Sequence, residues 1–493
     1  MEFVNSKTCY ELKDHGVIHR PASEGPWNAE IFKRDFRVDI ITEGEDLDAM
    51  EFDMVNLDCS FANAVRRILV SEVPSLAIER VYLNQNTSIM PDEVMCHRLG
   101  LIPLAVDPKY FMFPSKKPPN SNEIGGFDPK EHLVYDIHVE FTTPIKDLHG
   151  KKIKEHTQEG ALPVPQYLSV YSSDLKWIPL PGQEEHFSEN NTPLPVSSNI
   201  LINKLALGDE IEARCVAVKG IGRDHAKFSP VSAAYYKLHP IIKLLQPIEG
   251  ELAVKLQKSF APGVIGINPT TGQAFVANAR LDNGSREHMR HSEFRDDVVF
   301  AGMDSSHCIF TVETVAPGCR PPASLVRCAF DVMISKCCHY LAIIETPGFG
   351  EHMEEEECKP FTAGSGDAAS ESQTAEKSLM NPKGNRSQLN GREVGLEVAH
   401  ISRDKLRATF IFHGEDHTLG LALRYCVLRN QLVNFCGYCV PHPLEDMINF
   451  DIQMKRGSAI DALRDGLQCL HDCFKHMKQS FKSAVKSSRS TRK

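Results

Sequence analysis

The residues best suited to chemistry in this chain are a CxxC followed by a histidine, Cys436-Gly-Tyr-Cys439-Val-Pro-His442. Two thiolates and an imidazole could hold zinc or cycle between dithiol and disulfide. A zinc site needs about four such ligands, and no second CxxC completes this one. Cys469, Cys473 and His476 share a helix face and could join it. The same cysteines serve equally well as small core residues, and 436–439 has the apolar neighbours of a strand. His288-Met-Arg-His291, flanked by Glu287 and Glu293, has ligand-type side chains, but its spacing is not HExxH and its charge suits an exposed loop or helix end. No P-loop, GxGxxG or GxSxG occurs. The expectation is a chain without catalytic residues, cofactor or metal.

The stronger signal lies in the elements. Asp58-Cys-Ser60-Phe61-Ala-Asn-Ala64-Val65-Arg66-Arg67-Ile68-Leu69 recurs 358 residues later as Asp416-His-Thr418-Leu419-Gly-Leu-Ala422-Leu423-Arg424-Tyr425-Cys426-Val427. Each copy predicts a helix with a hydroxyl N-cap, Ser60 or Thr418. Its apolar residues, at i, i+3, i+4, i+7 and i+8, form one stripe that must be buried. A strand precedes each copy: Phe36, Val38 and Ile40 alternate, and Phe52-Asp-Met54 leads into the first helix. Leu406, Ala408, Phe410 and Phe412 alternate before the second.

Each copy also predicts a later strand and a long helix. Cys308, Phe310 and Val312 alternate, Pro321-Pro322 marks a helix entry, and Val326, Phe330, Met333, Cys337, Tyr340 and Ile344 step 4, 3, 4, 3, 4. In the second copy Ile448, Phe450, Ile452 and Met454 alternate, and Gly457-Ser458 is a break and N-cap. Ile460, Leu463, Leu467, Leu470, Phe474, Met477 and Phe481 then form a heptad seam on a helix to about Val485. Between the first helix and its later strand, Pro91–Arg98 reads as a short helix with Gly100 as its stop. Residues 105–295 are rich in Pro, Gly and short alternating runs such as Tyr135–Val139 and Ile211–Ala213, a mostly β insert.

These signals lay the chain out as a flexible arm (1–30), a discontinuous first folding unit (31–104 and 296–350) around the insert (105–295), a linker (351–391), a second folding unit (392–485) and a basic tail (486–493). The linker carries four consecutive glutamates, 354–357, and too few large apolar residues to fold. About 40 residues span ~35 Å as a flexible chain. Tethering at roughly millimolar effective concentration then favours pairing within one chain. The net charge of −10 is the wrong sign for a protein whose main task is gripping a phosphate backbone. Met1–Gly16 has no signal-peptide core, and 15 cysteines without a regular framework read as reduced intracellular thiols.

On these residues the chain resembles a known family. Phe61–Glu79, with His97-Arg-Leu-Gly-Leu-Ile-Pro-Leu104, is similar to the larger α-like subunit of nuclear RNA polymerases, and Ala226–Ala234 with Ser285–His291 to the form shared by polymerases I and III. Residues 392–485, with Glu415–Gly420, Phe435–Tyr438 and Pro441-His-Pro443, resemble the smaller α-like partner of the same polymerases. Leu421 and Gln431 depart from that pattern, where Asn and Pro are usual. The resemblance implies an α+β fold in which two α-like dimerisation units form a pseudo-two-fold intrachain heterodimer, the first interrupted by a mostly β insert: a natural fusion of two subunits.

It further implies a non-catalytic nuclear platform, in nucleolus and nucleoplasm, on which the large catalytic subunits of polymerases I and III assemble to transcribe rRNA and small RNAs. DNA would be met only through the complex, and no membrane is involved. The dimerisation interface would comprise Phe61, Ala64, Val65, Ile68, Leu69, Leu419, Ala422, Leu423, Val427, Leu463, Leu467 and Leu470. Arg66, Arg67 and Arg424 would dock a large subunit. Polymerase II relatives carry a cysteine cluster in the insert, whereas Cys215 is the only cysteine between residues 101 and 290, so no metal is expected there. The alternatives are the equivalent platform of polymerase II and a stand-alone zinc or thiol enzyme using Cys436, Cys439 and His442.

Overall fold

A computed structural model describes residues 10–13, 16–19, 29–44, 47–115, 126–142, 167–187, 192–294, 298–347, 349, 386–389 and 392–491. In chain order the first elements are β1 (Tyr10–Lys13), β2 (Gly16–His19), α1 (Ala29–Asp35), β3 (Arg37–Glu43), β4 (Ala49–Val55), α2 (Cys59–Ser71), β5 (Ser75–Asn86) and α3 (Asp92–Gly100). A run of strands follows: β6 (His132–Glu140), β7 (Leu168–Tyr171), β8 (Lys176–Ile178), β9 (Leu201–Leu205), β10 (Glu210–Gly220) and β11 (Val231–Leu244). Next come α4 (Gly250–Lys258), β12 (Ile265–Ile267), β13 (Ala274–Val276), β14 (Val299–Thr314) and α5 (Pro322–Ile344). The last are β15 (Arg386–Leu389), β16 (Arg392–Ile401), β17 (Arg407–His413), α6 (His417–Leu428), β18 (Val433–Cys439), β19 (Met447–Met454) and α7 (Ala459–Thr491). The fold is α+β, as the periodicities predict.

The two copies build the same sheet. The first has strand order β11-β14-β4-β3 and the second β18-β19-β17-β16, with β15 added at its edge. Phe52 faces Phe310 across the first sheet, and Phe410 faces Phe450 across the second. Phe52 and Phe410 lie 358 residues apart in sequence, and all four rings are fully buried. Hydrogen bonding redraws the expected insert on both sides. β11 falls within residues 105–295, yet pairs along its length with β14 of the first sheet. β5 precedes that range, yet pairs with β10 in a separate sheet of order β5-β10-β6-β8. Composition marked where the texture changes, whereas strand partners decide to which sheet a segment belongs.

Three further differences are local. Within the expected arm, Tyr10–Lys13 and Gly16–His19 form an antiparallel hairpin; residues 1–9, 14–15 and 20–28 of that arm lie outside the described residues. Within the expected linker, 351–385 likewise lie outside them, but Arg386–Leu389 pairs antiparallel with β16. The last helix runs to Thr491 rather than Val485, so most of the basic tail is helical. Its start is as expected: Gly457, at φ +94°, makes the turn that a side chain would strain, and Ser458 Oγ accepts from Ile460 N at 3.2 Å.

Contacts divide the chain into two compact units that do not follow the repeat. One holds Met1–Arg37 with Met333–Phe481, the other Val38–Val332 with Lys482–Lys493. The first unit thus takes α1 and the C-terminal half of α5 together with the second sheet. The second takes the end of α7 together with the first sheet. Within the former, Phe32 and Phe36 stand edge-on to His476 of α7 at 6.1 and 6.0 Å. Within the latter, Arg489 of α7 donates to Glu43 of β3 at 2.6 Å. Each copy's terminal helix ends among residues of the other copy.

Candidate dimerisation and docking surfaces

The stripe residues are all buried. Phe61, Ala64, Val65, Ile68 and Leu69 are no more than 1% exposed, and Leu419, Ala422, Leu423, Val427, Leu463, Leu467 and Leu470 are at 0%. α2 lies on β11 and β14, and α6 on β18, so each stripe covers the equivalent part of its own sheet. A fully buried leucine or phenylalanine contributes about 1.5–3 kcal/mol. The seam of α7 meets α6 where a Cβ on Gly466 would strike Val427, so only a bare backbone lets the helices approach this closely.

The caps differ from expectation. Asp58, not Ser60, is the N-cap of α2: its Oδ1 accepts from Ser60 N at 2.9 Å and from Ser60 Oγ at 2.6 Å. Asp416 Oδ1 likewise accepts from Thr418 N at 2.8 Å at the start of α6. The hydroxyls stand two residues inside the cap, and a carboxylate there also suits the positive end of the helix dipole.

The arginines are half-buried and held differently. Arg66 donates to Asn63 Oδ1 within its own helix at 3.2 and 2.9 Å. Arg424 donates from Nε to the carbonyl of Cys436 on β18 at 3.1 Å. Arg67 is half-buried beside Arg66 and has polar contacts of its own. A cleft of about 260 Å³ opens between β5, α3 and the loop before β11, lined by Glu79, His97, Gly100 and Lys227 among others. Lys227 Nζ bonds the carbonyl of Ile78 at 2.9 Å and the carboxylate of Glu79 at 2.5 Å. Three segments far apart in sequence, ending at Glu79, beginning at His97 and beginning at Ala226, therefore converge on one surface feature.

Sequence reasoning missed a buried ion pair. Lys336 of α5 donates to Glu415 Oε2 at 2.8 Å, and Tyr340 OH donates to Glu415 Oε1 at 3.0 Å. The lysine and glutamate side chains are 6% and 0% exposed. Tyr340 also meets Phe412 of β17 edge-on at 5.0 Å. A lysine one residue before Cys337 of an apolar seam was the available signal, because a buried ammonium requires an anion.

Two family models, both describing the RNA polymerase Rpb3/Rpb11 dimerisation domain, match residues 51–337 and 407–480. The chain belongs to the Rpb3/Rpb11 dimerisation family. Among curated relatives it is similar to the DNA-directed RNA polymerases I and III subunit RPAC1 of Mus musculus, at 41% identity over 64% of this chain and 86% of the relative. RPAC1 of Saccharomyces cerevisiae is 42% identical over 59% of this chain and 83% of the relative. That of Dictyostelium discoideum is 34% identical over 64% and 83%. The two matches place a dimerisation domain on each copy of the repeated phrase.

Within this family fold the candidate ligands are dispersed. Cys436 and Cys439 lie three residues apart on β18, which turns them to opposite faces: Cys436 is 2% exposed, with burial pushing its thiol up to about 12, and Cys439 is exposed. His442 Nδ1 accepts from Leu444 N at 3.1 Å in the following turn. His476 lies against Phe32 and Phe36, while Cys473 sits beside Cys426. His288 is buried with its ring stacked on Phe260 at 4.8 Å, and Glu293 pairs with Lys255 at 2.9 Å. Among the described residues, His138, Glu210 and Glu212 alone group their ligand atoms closely enough for a metal ion, at a sheet position that sequence reasoning did not single out.

Proposed function

We propose that this chain is a non-catalytic structural subunit of nuclear DNA-directed RNA polymerases I and III, a natural fusion of the larger and smaller α-like subunits. The observation that carries the reading is the presence of two Rpb3/Rpb11 dimerisation domains in one chain, together with relatives named as subunits of polymerases I and III. The exchange of helix ends and the Lys336–Glu415 pair support pairing within one chain. The dimerisation domains are 31–104 with 296–350, and 392–485, extended by β11 on the sheet evidence. The stripe and seam residues supply the dimerisation interface. Arg66, Arg67 and Arg424 dock a large subunit, with the Glu79–His97–Lys227 cleft a second contact. The chain acts in the nucleus, in nucleolus and nucleoplasm, and meets DNA only through the assembled enzyme.

Affinity purification of the tagged chain from its own cells, with identification of what co-purifies, tests this. The large catalytic subunits of polymerases I and III are expected in stoichiometric amount. Recovery of polymerase II large subunits, or of none, overturns the reading. Light scattering of the purified chain is expected to give a monomer, and a homodimer would overturn intrachain pairing. Arg67→Ala is expected to leave the free chain folded while reducing recovery of the large subunits.

A further inference from the structure

We propose that Cys426 and Cys469 are a peroxide-sensitive disulfide site that staples α6 to α7. This goes beyond the assembly role and does not depend on it. The two helices pack closely because Gly466 offers no side chain against Val427 and Leu423. One residue before Val427 stands Cys426, and three residues after Gly466 stands Cys469, with Cys473 one turn further along α7. The three thiols lie within hydrogen-bonding reach of one another. Cys426 and Cys473 are 3% and 2% exposed, whereas Cys469 is half-buried and the most accessible of the three.

The division of labour follows from that cluster. Hydrogen bonds from Cys426 and Cys473 hold the Cys469 thiol below its ordinary value, which favours it as the thiolate of the three, and thiolates are the nucleophiles. Burial first, and then the shared hydrogen bonds, push Cys426 the other way. The partner is set by geometry. Residues i and i+4 on one helix hold their Cβ atoms about 5–6 Å apart. A disulfide requires about 3.5–4.5 Å, which disfavours the Cys469–Cys473 pair within α7. Cys426 comes from the opposite helix and is free of that constraint.

The reaction balances with a diffusible hydroperoxide as oxidant. The Cys469 thiolate attacks the terminal peroxide oxygen, forming S–O as O–O breaks, and the leaving hydroxide takes a proton to give water. Cys426 then attacks the sulfenic sulfur, S–S forms, and the S–OH oxygen leaves as a second water with the thiol proton. Two thiols lose two electrons, and hydrogen peroxide becomes two waters.

The test uses the full chain, hydrogen peroxide, alkylation with N-ethylmaleimide, and mass spectrometry of non-reduced tryptic peptides. Peroxide is expected to cost two of the 15 alkylatable thiols and to join the peptide Tyr425–Arg429 to Asp465–Lys475, with Cys473 alkylated. Dithiothreitol should restore both thiols. Cys469→Ser should abolish the linked peptide and Cys473→Ser should preserve it. The wild-type map decides the matter even where a serine variant fails to fold. Oxidised Cys469 with Cys426 still fully alkylated overturns the proposal, as does a linked peptide that survives Cys469→Ser. Oxidation spread evenly over the exposed Cys338 and Cys439 overturns it too.

Discussion

The strand-and-helix pair β4–α2 and its later counterpart β17–α6 share a phrase, a cap and a place in the sheet, yet differ on the outer face of the strand. From Ala408 on, β17 alternates cleanly between buried and half-buried positions. β4 buries Asp53 on what should be its polar face. The cause is an insertion. Between β11 and β14 stands a small module, α4 with β12 and β13, that has its own apolar core around Leu256, Phe260 and Phe294. From it Arg280 reaches Asp53 Oδ2 at 2.7 Å and Glu51 Oε1 at 2.6 Å, and His307 Nε2 lies 2.9 Å from Asp53. The equivalent strands β18 and β19 are joined by seven residues, and the positions matching Glu51 and Asp53 are Thr409 and Ile411. A repeat preserves what packs inward, while insertions rewrite what faces outward.

The arginines carry the same lesson. Arg66 is tied within α2, whereas Arg424 is tied to the next strand. Where the first copy has a second arginine, the second has Tyr425, which accepts from Arg429 at 2.8 Å and lies under its guanidinium at 4.4 Å.

The comparison breaks first at the buried ion pair, which joins Lys336 of a first-copy helix to Glu415 beside the second-copy phrase. Lys336→Met is expected to cost about 3–5 kcal/mol by leaving the Glu415 carboxylate buried without its cation. Adding Glu415→Leu should recover most of that loss in denaturant titrations. If the double variant is as unstable as the single, the cost lies in packing rather than charge.

Next in size, Leu467→Ala should destabilise by roughly 2–5 kcal/mol, and Met333→Ala in the matching seam of α5 should fall in the same range. Leu467→Asp should be worse, since a carboxylate would be buried unpaired. Thermal melting equal to wild type would show that the seam is dispensable.

Asp53 sharpens the contrast between the outer faces. Burial alone would raise its pKa, but hydrogen bonds from Arg280 and His307 outweigh that and hold the carboxyl below its ordinary value. Its contribution is therefore complete above the unfolded-state value of about 3.9 and lost as pH falls through the lower folded value. Asp53→Asn should cost about 1.5–3 kcal/mol at neutral pH, the range for a hydrogen bond to a charged group. It should also flatten the acid limb of stability. Ile411→Val, at the equivalent position, should leave that limb unchanged.

The smallest effect tests what the copies share. Asp58→Ala and Asp416→Ala should each cost about 1 kcal/mol as lost N-caps. Each cap closes its own helix, so the losses should add to within about 0.5 kcal/mol, as for independent sites. Ser60→Ala and Thr418→Ala should cost less, and the reverse order would restore the hydroxyls as the effective caps.

The sequence by itself determined the repeat, the strand–helix order in each copy and the buried face of every long helix, because those depend on spacings of two to eight residues within one element. Leu463, Leu467 and Leu470 needed no neighbour to declare themselves buried. Tertiary structure decided what depends on partners distant in the chain. β11 joins the first sheet through β14, about 70 residues later, and Arg386–Leu389 becomes a strand because β16 offers an edge. The CxxC lost its chelating geometry once β18 turned its two sulfurs to opposite faces. Lys336 found Glu415 across 79 residues. The caps fell between these cases: the aspartates were visible in both copies, but whether carboxylate or hydroxyl takes the free amide depends on where the first helical turn closes, a matter of backbone angles rather than residue spacing.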